Sequence, residues 1–511
     1  MDADYIVVGT GSAGSVLANR LSATPGVRVA VVEAGPRDKD KFIHIPVAFS
    51  KLFRSAVDWD YLTEPQKQLD GRQVYWPRGK TLGGSSSMNA MMWVRGFAAD
   101  YDEWGDLASP DWDYAHVEKY FTKIEHGPLE ISAQRSPRNS TAAWLRAVQE
   151  CGYRVETPNS RAPEGFCETR VTQRKGARWS AADAYLKPAL NRSNLRLFTE
   201  STVTRVIFDG NRAVGVEVDT AGRRQVIKAR REVVLCAGAI NTPQLLMLSG
   251  IGDRDQLAQH GIDLVHHAPE VGQNLKDHLV VPMGFEVSCD SLVAAEKPKQ
   301  LINYLVRRRG MLTSNVGEAY GFVRSRPELD VPDLELIFAP APFFDEGIGE
   351  PYPGHAVVMG PILLKPKSSG TISLASADPM DKPIIDPRYL SDDAGEDRAA
   401  LMEGLRITAR IGESPTMKAI LGGIARPAGA TELTDETLEL AVNTLSHTLY
   451  HPVSTCRMGS DDASVVDPKL RVRGIDGLRV ADASVMPTII RGHTHAPSVL
   501  IGEKAADLIR S

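Results

Sequence analysis

The chain has 511 residues, 42% of them hydrophobic and 24% charged, with a net charge of −5. That length exceeds what one hydrophobic core organises and predicts two or three domains, while the mild acidity points to neither nucleic acid nor an anionic membrane as partner. Five scattered cysteines, odd in number and without CxxC spacing, exclude a disulfide framework and a zinc site and read as the reduced thiols of a cytoplasmic protein.

Residues Asp4 to Glu33 read as strand, glycine turn, helix, strand. Ile6–Val8 and Val29–Val32 are unbroken apolar runs, the pattern of strands buried on both faces. Gly9, Gly11 and Gly14 stand between them in GxGxxG register, with Ser12 and Ala13 completing the turn. The first glycine permits a tight turn, the second lets a pyrophosphate approach the backbone, and the third lets helix and strand pack closely. Glu33, followed by Ala34, ends the second strand where an acid accepts hydrogen bonds from an adenosine ribose, favouring a 2′-hydroxyl over a 2′-phosphate. A dinucleotide site is expected here. The turn alone does not separate FAD from NAD. The first strand begins so early that no signal peptide is expected, and no apolar run of about 18 residues is present to span a membrane.

The segment Trp76–Gly96, WPRGKTLGGSSSMNAMMWVRG, combines small residues at Gly83, Gly84 and Ser85–Ser87 with an apolar, helix-like run at Met88–Val94. So many unencumbered backbone donors suit close contact with phosphates or a ring. Helical patterns and polar loops follow from about Tyr101 to Tyr185, then strand-like alternation from Asn194 to Arg231. REVVLCAGA is another buried strand ending in glycine, and Thr242-Pro243 opens a helix. From about Phe285 to His447, strand-like stretches are separated by Pro/Gly turns, with a helix near Asp397–Ile411. In PAPFFDEGIG, Phe343 and Phe344 must either pack inward or line a pocket. No internal repeat, low-complexity tract or charge run stands out.

GKTLGGSSSMNAMMWVRG and AGAINTPQLLMLSGIG resemble the two signatures of the glucose-methanol-choline (GMC) family of FAD oxidoreductases, and the resemblance extends over nearly the whole chain. It implies a fold of α/β plus α+β type, a Rossmann-like FAD-binding domain interleaved with an antiparallel-sheet substrate-binding domain. The expected boundaries are 1–150, 190–284 and 450–511 for the FAD domain and 151–189 and 285–449 for the other. It further implies FAD contacts at Gly83, Ser86, Asn89, Val203 and Asp482, with Val203 near the adenine. Asp482, in VADAS, also has the character of a helix N-cap. Met88 stands near where the choline oxidase branch carries a flavin-linking histidine, so FAD is expected to bind noncovalently.

The chemistry is expected in the C-terminal part. SHTLYHPVSTCRMG brings His447 and His451, and RGHTHAPSV brings His493 and His495. Hydride removal from an alcohol needs a base for the hydroxyl proton and a second group that fixes the oxygen, and histidine ionises near working pH. By resemblance those roles fall to His451 and His495, forty-four residues apart, with the division between them open; His493 contacts the flavin or merely packs. The expectation is oxidation of a primary alcohol to an aldehyde by a dehydrogenase more than an oxidase, with an unknown electron acceptor. The alternatives are an FAD-containing lyase and a choline dehydrogenase.

Overall fold

The computed structural model describes residues 2–510 apart from Cys289. Ile6–Val8 and Val29–Val32 lie buried at every position, as strands covered on both faces must. They sit inside a seven-stranded sheet ordered Leu195–Phe198, Val29–Val32, Asp2–Val8, Arg223–Leu235, Arg212–Thr220, Thr202–Asp209, with Leu478–Val480 against the far end of Arg223–Leu235. That long strand is shared. Its first half pairs antiparallel with Arg212–Thr220, and its second half runs parallel to Asp2–Val8. The parallel register sets Val8 beside both Val32 and Leu235, and Leu235 beside Val480. Four strands therefore end at one edge.

A second sheet of eight strands runs Leu421–Arg426, Met283–Val287, Ala356–Leu363, Leu334–Ala339, Ala319–Val323, Gly165–Glu168, antiparallel throughout. Leu279–Val280 links Ala356–Leu363 to His447–Thr448. The helix Glu396–Gly412, close to the expected span, buries Leu401, Leu405 and Ile411. A parallel nucleotide-type sheet interleaved with an antiparallel one is the architecture the sequence predicts.

Three details differ. Leu279–Val280, expected with the first sheet, hydrogen-bonds within the second. The helix Asn139–Glu150 also serves the second, where its Trp144 stacks on Phe338 at 5.3 Å and meets Phe166 edge-on. Met88–Val94 is not helical: Met91 has φ +56° and Met92 bridges to Val171. Met88 and Met91–Val94 are apolar because they are buried, and apolar runs of this length do not distinguish helix from extended chain.

The last helix, His495–Arg510, packs along the first, Ser12–Ser22. Glu503, fully buried, holds the pair through Arg20 at 2.6 Å and draws in Lys123 at 2.7 Å. At the turn, Gly14 is fixed by contact: a Cβ there would lie 2.1 Å from the Gly9 carbonyl oxygen. We expect Gly14→Val to destabilise the protein by at least about 1–3 kcal/mol, the usual cost of overpacking. A thermal unfolding midpoint equal to that of the parent chain would refute this account of the third glycine.

Candidate active site

The loops that follow the aligned strand ends, Gly9–Ala13, Glu33–Ala34, Cys236–Asn241 and Asp482–Ala483, line one cavity of about 470 Å³. Ligands of parallel α/β sheets bind at this edge. From the other side the cavity is closed by the second sheet and its connections, including Met88–Met92, Val280, Val316, Ile337 and Val358.

The sequence-predicted cradle is assembled at the first of these edges. Gly11 caps the first helix without any side-chain hydrogen bond, and a Cβ on it would meet nothing within 4 Å. The helix N-terminus, with its partial positive charge, thus opens directly onto the cavity. Gly9, Ser12 and Ala13 line it with Gly11, whereas Gly14 stands behind them in the packing contact already described. Glu33 lines the cavity with Ala34, but its carboxylate already accepts from Thr10 N at 3.0 Å, Thr10 Oγ1 at 2.6 Å and Gly35 N at 2.9 Å. Burial raises its pKa against those three bonds. Val203 lines the same end.

The Gly83–Asn89 segment is arranged differently from expectation. Gly84, not Gly83, reaches the cavity: a Cβ on Gly84 would sit 2.9 Å from Gly11 Cα. Gly83, at φ +90°, makes the turn behind it. Ser86 lines the cavity while its hydroxyl is engaged internally, donating to Gly83 O at 2.6 Å and accepting from Ala181 N. Asn89 Oδ1 accepts from Met91 N and from Arg178 Nη1 at 2.7 Å, which leaves only its amide nitrogen for a ligand. Asp482 is both the N-cap and a cavity residue. It accepts from Ser484 N and Oγ, Gly238 N and Thr242 Oγ1, tying the Gly238–Leu248 helix to the last strand.

Polar atoms without partners show what the cavity lacks. Arg78 Nε and Nη2, His495 Nε2 and Tyr450 Oη are buried, hydrogen-bond to nothing among the described residues, and belong to side chains that line it. Each such group costs about 1–3 kcal/mol unless satisfied. A large polar ligand with an anionic portion, as a dinucleotide is, fits this set.

The histidines form the second half of the site. Spacing pairs His451 with His495, yet the ring set against His451 is that of His493, with centroids 4.8 Å apart. His495 turns the other way: its Nδ1 lies 2.9 Å from Ser12 Oγ and its ring meets Trp93 edge-on. The cause is the start of the last helix at His495, which carries that side chain toward the first helix. His493 stays in the preceding loop, and its Nε2 lies 3.0 Å from Glu335 Oε1, a carboxylate buried on Leu334–Ala339. His447 lines the cavity as well, its Nδ1 donating to Thr448 O.

His451 is held by two adjacent residues. Asp277 Oδ1 accepts from its backbone N–H at 2.8 Å, and His278 Nδ1 lies 2.9 Å from its Nδ1. His278 Nε2 faces two carbonyls, Leu364 O at 3.0 Å and Ile490 O at 3.1 Å. Carbonyls only accept, so Nε2 carries the proton and Nδ1 of the neutral ring is an acceptor. His451 therefore donates from Nδ1. Its Nε2 is left bare and able to take a proton. Burial foremost, then His493, His278 and Arg78, holds His451 well below the usual imidazole range. Burial pushes His278 to about 3, and burial with Arg178 pushes His495 to about 4.

His278, Glu335 and Arg78 were not singled out from the sequence. The first two act across 173 and 158 residues, and no local motif announces such a partner. The adjacency of Asp277 and His278 before a short strand was the one available signal. Phe343 and Phe344 divide their roles: the first lines the cavity and packs on Phe49 at 5.6 Å, and the second is buried against Gly284 and Tyr352.

Known proteins resemble the chain over nearly its whole length. Residues 3–280 and 366–502 match the GMC oxidoreductase family. An uncharacterized GMC-type oxidoreductase of Mycobacterium tuberculosis is 68% identical, covering 99% of each chain. An alcohol dehydrogenase [acceptor] of Pseudomonas putida is 41% identical over 99% of this chain and 95% of its own. The human mitochondrial choline dehydrogenase is 40% identical over 99% and 89%. Among solved structures, pyridoxine 4-oxidase from Mesorbium loti superposes with a TM-score of 0.89 at 30% identity, covering 99% of this chain and 98% of that one.

The hydrogen-bond chain predicts definite tautomers. In ¹⁵N-histidine spectra we expect His278 protonated at Nε2 and His451 at Nδ1, both neutral well below pH 6.5, because their lowered pKa values move proton uptake to lower pH. Charging of either ring near pH 6.5 would contradict this arrangement.

Proposed function

The chain belongs to the GMC oxidoreductase family, and from that we propose that it is an FAD-dependent dehydrogenase oxidising uncharged, largely apolar primary alcohols to aldehydes. One observation carries the reading: a neutral histidine with a bare Nε2, paired with a second imidazole, opens into the same cavity as an uncapped nucleotide turn. The name of the Pseudomonas relative, an alcohol dehydrogenase using an unspecified acceptor, supports dehydrogenase over oxidase.

In this reading Gly9, Gly11, Ser12 and Ala13 would hold the pyrophosphate, and Glu33 with Ala34 the ribose. Val203 would meet the adenine, while Asn89 and Asp482 would border the ring. Met88 lines the cavity with a thioether, which favours noncovalent binding. The chemistry FAD supplies when bound is acceptance of a hydride from the alcohol carbon. His451 Nε2 takes the hydroxyl proton, and its Nδ1–H is steadied by His278. His493, whose Nε2–H the Glu335 carboxylate accepts from behind, would hold the alcohol oxygen by donating from Nδ1 in its doubly protonated form as charge develops there. His495, bonded to Ser12, belongs to the cofactor side of the site.

The walls around the histidines support the substrate class. Phe49, Phe53, Phe343, Val316, Ile337, Val358 and Leu449 are apolar. A quaternary ammonium such as choline asks for an aromatic cage and a nearby carboxylate, and of the two the cavity offers the rings of Phe49, Phe53, Phe343 and Tyr450. The acids lining the cavity are Glu33 and Asp482, at the strand ends, and Asp381, whose carbonyl bonds Gln244 of the Gly238–Leu248 helix. The carboxylates that do stand against these histidines are already engaged, Glu335 by His493 and Asp277 by the His451 N–H and Tyr389.

The test is an anaerobic visible spectrum of the holoprotein with a panel of aliphatic, aromatic and cationic alcohols. Bleaching of the flavin by apolar primary alcohols, with slow recovery in air, is expected. Flavin bands that no alcohol bleaches would instead favour the lyase alternative. His451→Ala should lower turnover about 10²–10⁴-fold with FAD retained. His493→Ala should act on turnover and His495→Ala first on FAD retention, and the reverse outcome would restore the pairing read from sequence spacing. Because a base works in its neutral form, the acid limb of kcat/KM should fall below pH 6.5. Gly11→Leu, placing a side chain in the open space of the turn, should prevent FAD binding.

A further inference from the structure

The helix Pro298–Arg307 is built inside out. Tyr304 is its one buried residue, donating from its hydroxyl to His44 O at 3.2 Å, and Gln300 Oε1 accepts from Met311 N. Leu301, Ile302, Leu305 and Val306 point outward, 45%, 63%, 61% and 76% exposed. Their spacing of one, four and five residues makes a single stripe. A helix lying on a water-facing surface normally hides such a stripe and exposes its polar side. Val293, on the preceding turn Leu292–Glu296, extends the patch.

Charge surrounds the stripe with one sign. Lys297 and Lys299 stand at its start and Arg307, Arg308 and Arg309 at its end, all exposed. Glu296, the single acid from residue 296 to 309, is paired with Lys51 at 2.7 Å. This cluster of cations corrects the expectation of no charge run, since a net charge of −5 conceals a local patch of the opposite sign.

We propose that the Pro298–Arg307 helix docks on an anionic lipid surface, its aliphatic stripe entering the headgroup boundary and its five cations meeting lipid phosphates. An exposed aliphatic face flanked by Lys and Arg is the chemistry of an interfacial helix. A second copy of the chain fits less well. A two-fold contact sets a patch against itself, and here five cations would oppose five. The inner side of the helix packs through Tyr304 into the apolar cluster that holds Phe49, Phe53, Met88 and Val316. Those four residues line the cavity. The docked face thus lies behind the apolar wall of the active site; if the alcohol reading holds, a substrate dissolved in the bilayer arrives at that side.

Co-sedimentation of the holoprotein with phosphatidylglycerol-containing vesicles, against phosphatidylcholine alone, tests the proposal independently of turnover. Binding to the anionic vesicles is expected, and it should be suppressed by high salt. Ile302→Glu with Val306→Glu, and separately Arg307, Arg308 and Arg309 changed together to Gln, should each weaken it about tenfold or more, with the flavin spectrum and turnover in vesicle-free buffer unchanged. Equal binding by the variants, or no binding to anionic vesicles, would overturn it. So would sedimentation velocity showing a dimer that the double Glu variant converts to monomer, which would assign the stripe to a second copy.

Discussion

Parallel strands that stop in register leave their outgoing loops side by side, and this constraint governs the protein. Val8, Val32, Leu235 and Val480 end together, so the glycine turn, Glu33, the Gly238–Leu248 helix and Asp482 are neighbours although they span almost the whole sequence. Asp482 converts that proximity into fixed geometry by accepting hydrogen bonds from both the helix and its own turn. The second sheet then needs only to present its histidines over the same edge. It does so through the short pairing of Leu279–Val280 with His447–Thr448, which brings Asp277 and His278 against His451.

Desolvation is the second organising force. Three imidazoles in and beside the cavity are held neutral by burial, and their hydrogen-bonding neighbours are uncharged: two carbonyls for His278, His278 itself for His451 and the Ser12 hydroxyl for His495. The backbone bends to allow this, since Tyr450 and Ser454, on either side of His451, adopt left-handed conformations at φ +68° and +73°. Strain of that kind persists where surrounding contacts over-determine it. Asp277 bonding the His451 N–H supplies one such contact, and Arg78 donating to Tyr450 O supplies another.

What could be read from the sequence was local. The roles expected of Gly9, Gly11 and Gly14 follow from steric rules that act over six residues, and in the structure Gly9 takes a left-handed turn, Gly11 borders open space and Gly14 packs against the turn. Strand runs and the Glu396–Gly412 helix follow from burial patterns of similar range. The choice between His493 and His495 was not legible, because two residues separate opposite sides of the site where a loop becomes a helix. The Met88–Val94 run was misread because burial, not helical packing, accounts for its composition. The apolar stripe of Pro298–Arg307 is visible in sequence, but which way it faces depends on Tyr304 finding the second core cluster, a tertiary fact.

The pairing of the first helix with the last also has a consequence for how the molecule comes into being. Ser12 meets His495 and Arg20 meets Glu503, each across 483 residues. The glycine turn is synthesised long before the strand Leu478–Val480 and the helix His495–Arg510 that complete it. Chains are synthesised at about 5–20 residues per second and their early portions begin to fold during that time. The nucleotide site therefore stays open on one side until that strand and helix have been made, and the early strands wait for partners supplied late in synthesis.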